Sequence, residues 1–386
     1  MRIINSMLDT DLYKITMQQA VLELFSNAQV EYRFTNRGKQ KFNKEFLAAL
    51  KEQINLLVDI SLKDDEYAWL KKSCPYFTPQ YLEYLKNYRF KPEEVDCSLT
   101  ADNNLSIAII GSWHSTILWE VPLMALISEL YFKIIDTAWT FADQYTRAGT
   151  KGEELAAGRC FIAEFGTRRR RSARTQQNVI TALQKECSTF IGTSNVHFAQ
   201  TNGLKPIGTM AHEWVMGNSV LEGLRNANYY ALQNWVRVYN ADLGIALTDT
   251  YGLDAFLNNF NLRMSMLYDG VRHDSGDPYK FTDRIIDHYI KMDINPQSKT
   301  IVFSDGLDVQ TAVAIAAYCK GRIKCSFGIG TFLTNNFEGS PSLNMVIKLW
   351  SVNGIPVVKL SDSPGKEMGD PNAIKVAKWT FFDEKL

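Results

Sequence analysis

The sequence predicts an α/β protein built on a closed or nearly closed barrel of seven parallel strands, with a doubly wound open sheet as the other reading. Three observations predict it. From residue 159 onward, short apolar runs ending in small or polar residues alternate with helical segments, the pattern of a parallel sheet with crossover helices. Residues before 130 mix helices and isolated strands without that alternation. Past residue 340, two strand-like runs flank Asn353-Gly354, a strong hairpin signal, and this hairpin is expected to return to the N-terminal part. The expected division is an α+β domain over 1–130, joined by 341–386, and a barrel domain over 131–340.

Taken in order, residues 11–25 carry apolar positions at helical spacing, with Thr10 as a cap and Asp11 in the first turn. Residues 30–34 alternate and read as a strand. Residues 43–90 read as helical, broken at Pro75 and Pro79. A strand over 105–111 precedes a largely apolar helix over 113–132, and a more polar helix over 133–158 leads out of the domain. The seven barrel runs are 160–166, 190–193, 206–209, 243–248, 264–268, 300–304 and 325–330. Helical candidates between them are 175–186, 215–230, 279–292 and 308–319.

Composition narrows the class. The chain has 386 residues, 46% apolar and 22% charged, as a globular enzyme does. Lys plus Arg equals Asp plus Glu at 42 each, so a general nucleic-acid surface is not implied and an anion site must be a local cluster. Six cysteines are scattered with no CxxC and no zinc spacing, which reads as buried thiols in a reducing compartment. No stretch approaches the roughly 20 apolar residues that cross a bilayer. No signal-peptide run opens the sequence, so a cytoplasmic protein is expected.

The chemistry gathers at the strand ends, where parallel barrels place their sites. The first run ends in Glu164-Phe-Gly-Thr-Arg-Arg-Arg-Arg-Ser172. Four arginines before a helix suit phosphate, while a solvated basic face or a subunit salt-bridge patch is the alternative. The third ends in Gly208-Thr-Met-Ala-His-Glu-Trp214, where His212 can be nucleophile, base or ligand, or a structural histidine. The fourth ends in Thr248-Asp-Thr250. Asp249 can orient His212, or cap a helix. The fifth leads to Asp269-Gly-Val-Arg-His-Asp-Ser-Gly-Asp277. There Arg272, Ser275 and Gly276 can grip an anion, and Asp274 and Asp277 can meet ribose hydroxyls or a hydrated Mg²⁺, although Asp-Ser-Gly-Asp-Pro is also a good turn. The sixth and seventh end in Ser304-Asp-Gly-Leu-Asp308 and Gly328-Ile-Gly-Thr331, which fit a phosphate cradle. Together they read as a site for a phosphorylated sugar with a histidine in its middle. His114 and His197 read as structural and His288 as exposed. P-loop and dinucleotide fingerprints are absent from the sequence.

On these motifs, with Asp9-Thr-Asp-Leu-Tyr-Lys-Ile-Thr-Met17 added, the chain resembles nicotinate phosphoribosyltransferase, of the bacterial type among type II phosphoribosyltransferases, essentially end to end. The resemblance implies an irregular seven-stranded barrel with a sandwich-like N-terminal domain. It implies an ATP-coupled enzyme that joins nicotinate to phosphoribosyl pyrophosphate, forms nicotinate mononucleotide and pyrophosphate, and serves NAD salvage. His212 matches the histidine phosphorylated by ATP, with Asp249 as its partner. Tyr13 and Phe165 match the aromatics around the pyridine ring, Tyr13 reaching in from the other subunit of a homodimer with shared sites. Thr209 and Arg272 match nicotinate contacts, and Arg168 joins them. Arg168, Ser275, Asp277, Gly306, Gly330 and Thr331 fall where phosphoribosyl pyrophosphate or the product is held. Arg169, Gly276 and Ser304 complete that set. Ser194 stands where nicotinamide-using relatives carry Asp, and its hydroxyl would donate to nicotinate's carboxylate. His273 departs from the common pattern. Implied cofactors are Mg²⁺, without a direct protein cage beyond Asp274 and Asp277, and ATP as co-substrate. No organic prosthetic group, nucleic acid or membrane is implied. The rival readings are another type II enzyme, using nicotinamide or quinolinate, and a non-catalytic phosphosugar-binding barrel.

Overall fold

The structure, a computed structural model, describes residues 2–363 and 366–382, so residues 1, 364–365 and 383–386 of the first expected domain span lie outside it. The chain opens with helix Leu12–Leu24, buried on nearly every face from Leu12 to Val21. Asp11, not Thr10, takes the capping position, and its side chain makes no cap bond. β1 (Gln29–Asn36) follows. Three helices then cover 44–87: Lys44–Leu56, Asp64–Ser73 and Pro79–Asn87. The first is capped by Asn43, which accepts from the Phe46 amide at 2.8 Å. The third starts with Pro at its first turn behind a Thr78 cap. β2 (Val95–Leu99) and β3 (Leu105–Ser112) form an antiparallel pair, and β3 also pairs β1. The sequence reading passed over β2, although Val-Asp-Cys-Ser-Leu alternates, with Asp96 and Ser98 exposed opposite the buried Cys97. The expected long apolar helix is two: Trp113–Thr116 and Glu120–Ile134, separated by a 3₁₀ turn. Helix Gln144–Ala157 leads on.

The second sheet holds β4 (Ile162–Glu164), β5 (Phe190–Thr193), β6 (Ile245–Leu247), β7 (Gly270–His273), β8 (Thr300–Phe303) and β9 (Lys324–Ile329). Its order is β5-β4-β9-β8-β7-β6, and all its pairings are parallel. Ile162, Val271, Ile301, Phe303, Phe327 and Ile329 fill its interior, with Phe303 and Phe327 stacked at 5.8 Å. Six strands therefore stand where seven runs were expected. The 206–209 run makes one isolated parallel bridge, Pro206 to Thr193, because proline lacks the donor a ladder needs. Its other side touches β6 through a side chain, as the Thr209 hydroxyl donates to the Ile245 carbonyl at 3.0 Å. The 264–268 run is not a strand. It belongs to helix Leu262–Leu267, which Asn261 caps by accepting from the Met264 amide, and the strand is β7, just after it. Short apolar runs cannot separate the two periods. The single helix expected over 215–230 is likewise two, His212–Leu221 and Ala227–Tyr239.

The chain then crosses back. β10 (Met345–Val352) lies antiparallel to β1, and β11 (Ile355–Pro356) follows it, giving the first sheet the order β11-β10-β1-β3-β2. Asn353 and Gly354, at φ 49° and 76°, make the turn, a conformation Asn and Gly tolerate best. Helix Pro371–Phe382 ends the described chain. No described helix is long and apolar enough to cross a membrane.

One glycine sets the seat of the histidine helix. A Cβ on Gly217 would lie 2.2 Å from the Trp113 ring, so helix His212–Leu221 can press onto that indole only with glycine there.

Candidate active site

The C-terminal ends of the parallel strands open into a cleft of about 910 Å³, roofed by the returning β10 segment. Its wall holds Phe165, Arg168, Arg169, His212, Arg272, Asp274, Ser304, Gly306, Gly330 and Thr331. Phe165 lies flat against Gly328, where any Cβ would come within 2.3 Å of the ring. A small pocket of about 50 Å³ adjoins the cleft, lined by Tyr13, Arg168, His212, Arg272 and Asp274 among others. The predicted residues thus converge from β4, β7, β8, β9, the histidine helix and the first helix.

His212 begins its helix and is buried. Its Nε2 lies 2.8 Å from Asp249 Oδ1 and 3.5 Å from Asp274 Oδ2. Asp249 Oδ2 accepts from the Ser275 hydroxyl at 2.7 Å and faces Lys359 Nζ at 3.0 Å. Burial alone would raise Asp249, but His212 and Lys359 outweigh it and hold the carboxyl well below its usual range. Burial acts the other way on His212, pushing its pKa down to about 4, with the Lys359 ammonium adding to the push and Asp249 opposing it. An ionised Asp249 can only accept, so the proton of the neutral ring sits on Nε2 and Nδ1 keeps its lone pair.

That geometry makes a pH prediction. The folded His212 pKa lies below the ordinary value of 6.5, so between pH 6.5 and 4 the unfolded chain binds the extra proton. This contribution to stability is present above pH 6.5 and is lost as the pH falls towards 4. Denaturant titrations at pH 7 and pH 4 should show the wild-type protein losing about 3 kcal/mol more than His212→Asn. Equal losses would mean the ring is not held neutral.

Asp274 accepts from Arg272 at 2.9 Å and from the Ser304 hydroxyl at 2.7 Å, and Arg272 Nε donates to Ser304 at 2.8 Å. Burial opposes ionisation of Asp274, but Arg272, His212 and Lys359 keep it well below its ordinary value.

The arginine run splits in two. Arg168 and Arg169 face the cleft. Burial, reinforced by Arg168 and Arg37, pulls Arg169 down to about 10, the mark of cations crowded without enough counter-charge. Arg170 and Arg171 are fully buried and face away from the cleft wall. Arg170 grips Asp9 with two bonds at 2.7 and 2.8 Å and Glu129 at 2.9 Å. Arg171 bonds Asn335 at 2.8 Å and Ser340, and stacks 3.5 Å from the Phe132 ring centre.

Arg170 explains how Tyr13 arrives. Asp9 also accepts from Asn195 at 2.8 Å, and the Leu12 amide donates to the Ser194 carbonyl at 2.8 Å. The N-terminal segment is therefore pinned to the end of β5 of its own chain. Tyr13 lines the small pocket in cis, with Arg168 6.0 Å from its ring centre and its buried hydroxyl unpartnered. This docking places Tyr13 at the small pocket of its own chain.

Other expected contacts sit behind the wall. The Ser194 hydroxyl donates to Asp11 at 2.7 Å. The Thr209 hydroxyl is engaged with Ile245, and Ser275 braces Asp249. The Gly276 amide donates to Ser363 at 3.1 Å. Asp277 is exposed and caps helix Pro278–Lys291 by accepting from Tyr279 and Lys280 at 2.8 and 3.0 Å. Asp274 and Asp277 are therefore not assembled as a metal pair. His273 is a core residue, packed 4.9 Å from Phe281 and bonded to the Gly276 carbonyl. His288, expected to be exposed, is buried against the Phe260 carbonyl at 2.8 Å. His114 pairs with the Tyr84 hydroxyl at 2.7 Å.

The sequence reading missed Arg37, Lys348, Lys359 and Lys366, all on the cleft wall. For Lys348 and Lys359 a signal existed, a single cation inside an otherwise apolar strand run. A buried network went unseen as well. Lys14 pairs with Glu120 at 2.5 Å and with Glu213, the residue after His212, and Glu213 also accepts from Tyr32 at 3.0 Å and Trp113 at 3.2 Å.

Fold and site together define an α/β enzyme for phosphate-bearing substrates. Residues 160–385 match the profile of the Nicotinate phosphoribosyltransferase (NAPRTase) family, and residues 8–128 match that of its N-terminal domain. The chain belongs to the nicotinate phosphoribosyltransferase family. It is 54% identical over 397 residues to nicotinate phosphoribosyltransferase of Methanosarcina mazei, covering 97% of this chain and 98% of that one. The Methanosarcina acetivorans protein of the same name is 56% identical over 398 residues, with the same coverage. The crystal structure of nicotinate phosphoribosyltransferase from Porphyromonas gingivalis superimposes with a TM-score of 0.96 at 40% identity, covering 98% of this chain and 100% of that one.

Proposed function

We propose that the chain joins nicotinate to phosphoribosyl pyrophosphate, releasing pyrophosphate and forming nicotinate mononucleotide, and that ATP drives the reaction through a phosphate carried on His212. One observation carries the ATP coupling. His212 is a neutral imidazole whose Nε2 is held by Asp249, leaving Nδ1 as the nucleophile on a wall dense with cations. The Nδ1 lone pair forms a bond to the γ-phosphorus of ATP, the bond to the bridging oxygen breaks, and ADP leaves with that electron pair. Asp249 stabilises the charge the ring gains, and Ser275 and Lys359 fix Asp249.

In the transfer step, positive charge grows at the ribose carbon while pyrophosphate departs. Arg168, Arg169 and the amides around Gly306, Gly330 and Thr331 face the leaving charge. Phe165 offers an aromatic face to the pyridine in the cleft, and Arg168 and Arg272, which line both the cleft and the small pocket, offer donors to its carboxylate, while Tyr13 faces the small pocket. With Ser194 engaged by Asp11, the preference for the acid over the amide rests on these cations. Among the described residues, His212, Asp249 and Asp274 bring ligand atoms within 4.8 Å of one another, but they hold each other and are held by Ser275, Lys359 and Arg272. Asp274 is taken by Arg272, Asp305 faces Lys366 at 2.9 Å, and Asp308 caps helix Val309–Cys319. Mg²⁺ would arrive with the pyrophosphate or ATP it neutralises. The same reading treats the six parallel strands and the 206–209 segment as an irregular seven-stranded barrel over 131–340. Residues 1–130 and 341–386 then form the sandwich-like domain.

Turnover with nicotinate and phosphoribosyl pyrophosphate, with and without ATP, tests the proposal. Nicotinate mononucleotide should form, and ATP should raise its yield. Equal or greater use of nicotinamide or quinolinate would overturn the substrate assignment. Binding without turnover would favour the sugar-phosphate-binding rival.

A further inference from the structure

The small pocket beside His212 is too small for a pyridine and its carboxylate, yet it is built around charge. Its volume of about 50 Å³ holds a few water-sized atoms, enough for the three oxygens of a phosphoryl group. Its charged walls are Glu120, Arg168, Glu213, Arg272, Asp274 and Lys348. Most of these are already matched. Glu213 and Glu120 share Lys14, Arg168 faces Glu120 at 3.4 Å, and Arg272 holds Asp274. The ammonium of Lys348, in the middle of β10, makes no hydrogen bond or ion pair among the described residues, and Glu120 and Asp274 act on it only at longer range. It is the one cation common to the small pocket and the cleft that waits for an anion.

We propose that this pocket is the seat of the phosphoryl group carried by His212, and that Lys348 is its counter-ion, a positioning residue that stabilises the phosphohistidine. The inference rests on the phosphohistidine reading above. Burial, with Arg168 and Lys359 adding and Glu120 opposing, brings the Lys348 pKa down to about 8, so an incoming phosphoryl group finds an ammonium short of counter-charge. Lys348 is delivered by the strand that pairs with β1.

The test is phosphoenzyme formation from γ-labelled ATP in the full-length protein, read as acid-labile, base-stable label and its decay after an ATP chase. Lys348→Met should lower the label, or shorten its half-life, by roughly tenfold or more, the weight of one charge-assisted bond. Lys348→Arg should restore most of it. Lys348→Gln reads the same loss if the methionine variant does not fold. Unchanged label and half-life in Lys348→Met or Lys348→Gln, with His212→Asn unlabelled, would overturn the inference and leave the phosphohistidine intact. A raised KM for nicotinate with unchanged label would make Lys348 a carboxylate contact instead. Label persisting in His212→Asn would remove the phosphohistidine and this inference with it.

Discussion

On the proposed function, His212→Asn should abolish the acid-labile phosphate label from ATP and the ATP-dependent rise in nicotinate mononucleotide synthesis. The expected loss of label is on the order of 10³-fold or more, because the variant lacks the ring nitrogen that would carry the phosphate. Asparagine is the informative replacement. Its amide ends near the Nδ1 position, short of Asp249, and the buried carboxylate keeps the Ser275 hydroxyl and the Lys359 ammonium as partners. Some ATP-independent synthesis should survive at high substrate, since Arg168, Arg169 and the phosphate-facing turns are untouched. Labelling of the variant at the wild-type level would move the phosphate to another residue.

The second large effect is on stability. Arg170→Met should cost about 3–5 kcal/mol, measured by urea unfolding, because Asp9 and Glu129 are left buried and ionised without their cation. The same change docks Tyr13 less firmly, since Asp9 is the anchor of its segment. Arg169→Ala, one residue away, should change stability by less than about 1 kcal/mol and weaken phosphoribosyl pyrophosphate binding instead. A stability loss for Arg170→Met below about 1 kcal/mol would contradict the division of the run into two binding and two anchoring arginines.

That division shows where sequence reading stops. Alternation of apolar runs and helices was enough to find β4, β5, β6, β8 and β9, because each is a short buried strand bounded by small residues. It failed for β7, where Met264-Ser-Met-Leu-Tyr268 is as apolar as a strand but is wound into a helix by the Asn261 cap. His212 and Asp249 could be paired on paper, since both follow strand-like runs and carboxylates orient imidazoles. Which of four neighbouring arginines turn inward is decided by Asp9 and Glu129 for Arg170 and by Asn335 and Ser340 for Arg171, all far away in sequence. Asp277 could not be told from a ligand until its helix was seen to start on it. Ser194 was placed by its neighbours and then claimed by Asp11, a partner no local pattern reveals.

Consider last the 206–209 run, which meets β5 through one bridge and β6 only through the Thr209 hydroxyl. Every other junction in the sheet is a ladder of backbone bonds. The run is a hem closed with single stitches, and His212 hangs three residues below it. Amides there can open without melting the strands around them. On the proposed function, a charge arriving on the imidazole sits beside this lightly held run and not on a laddered strand.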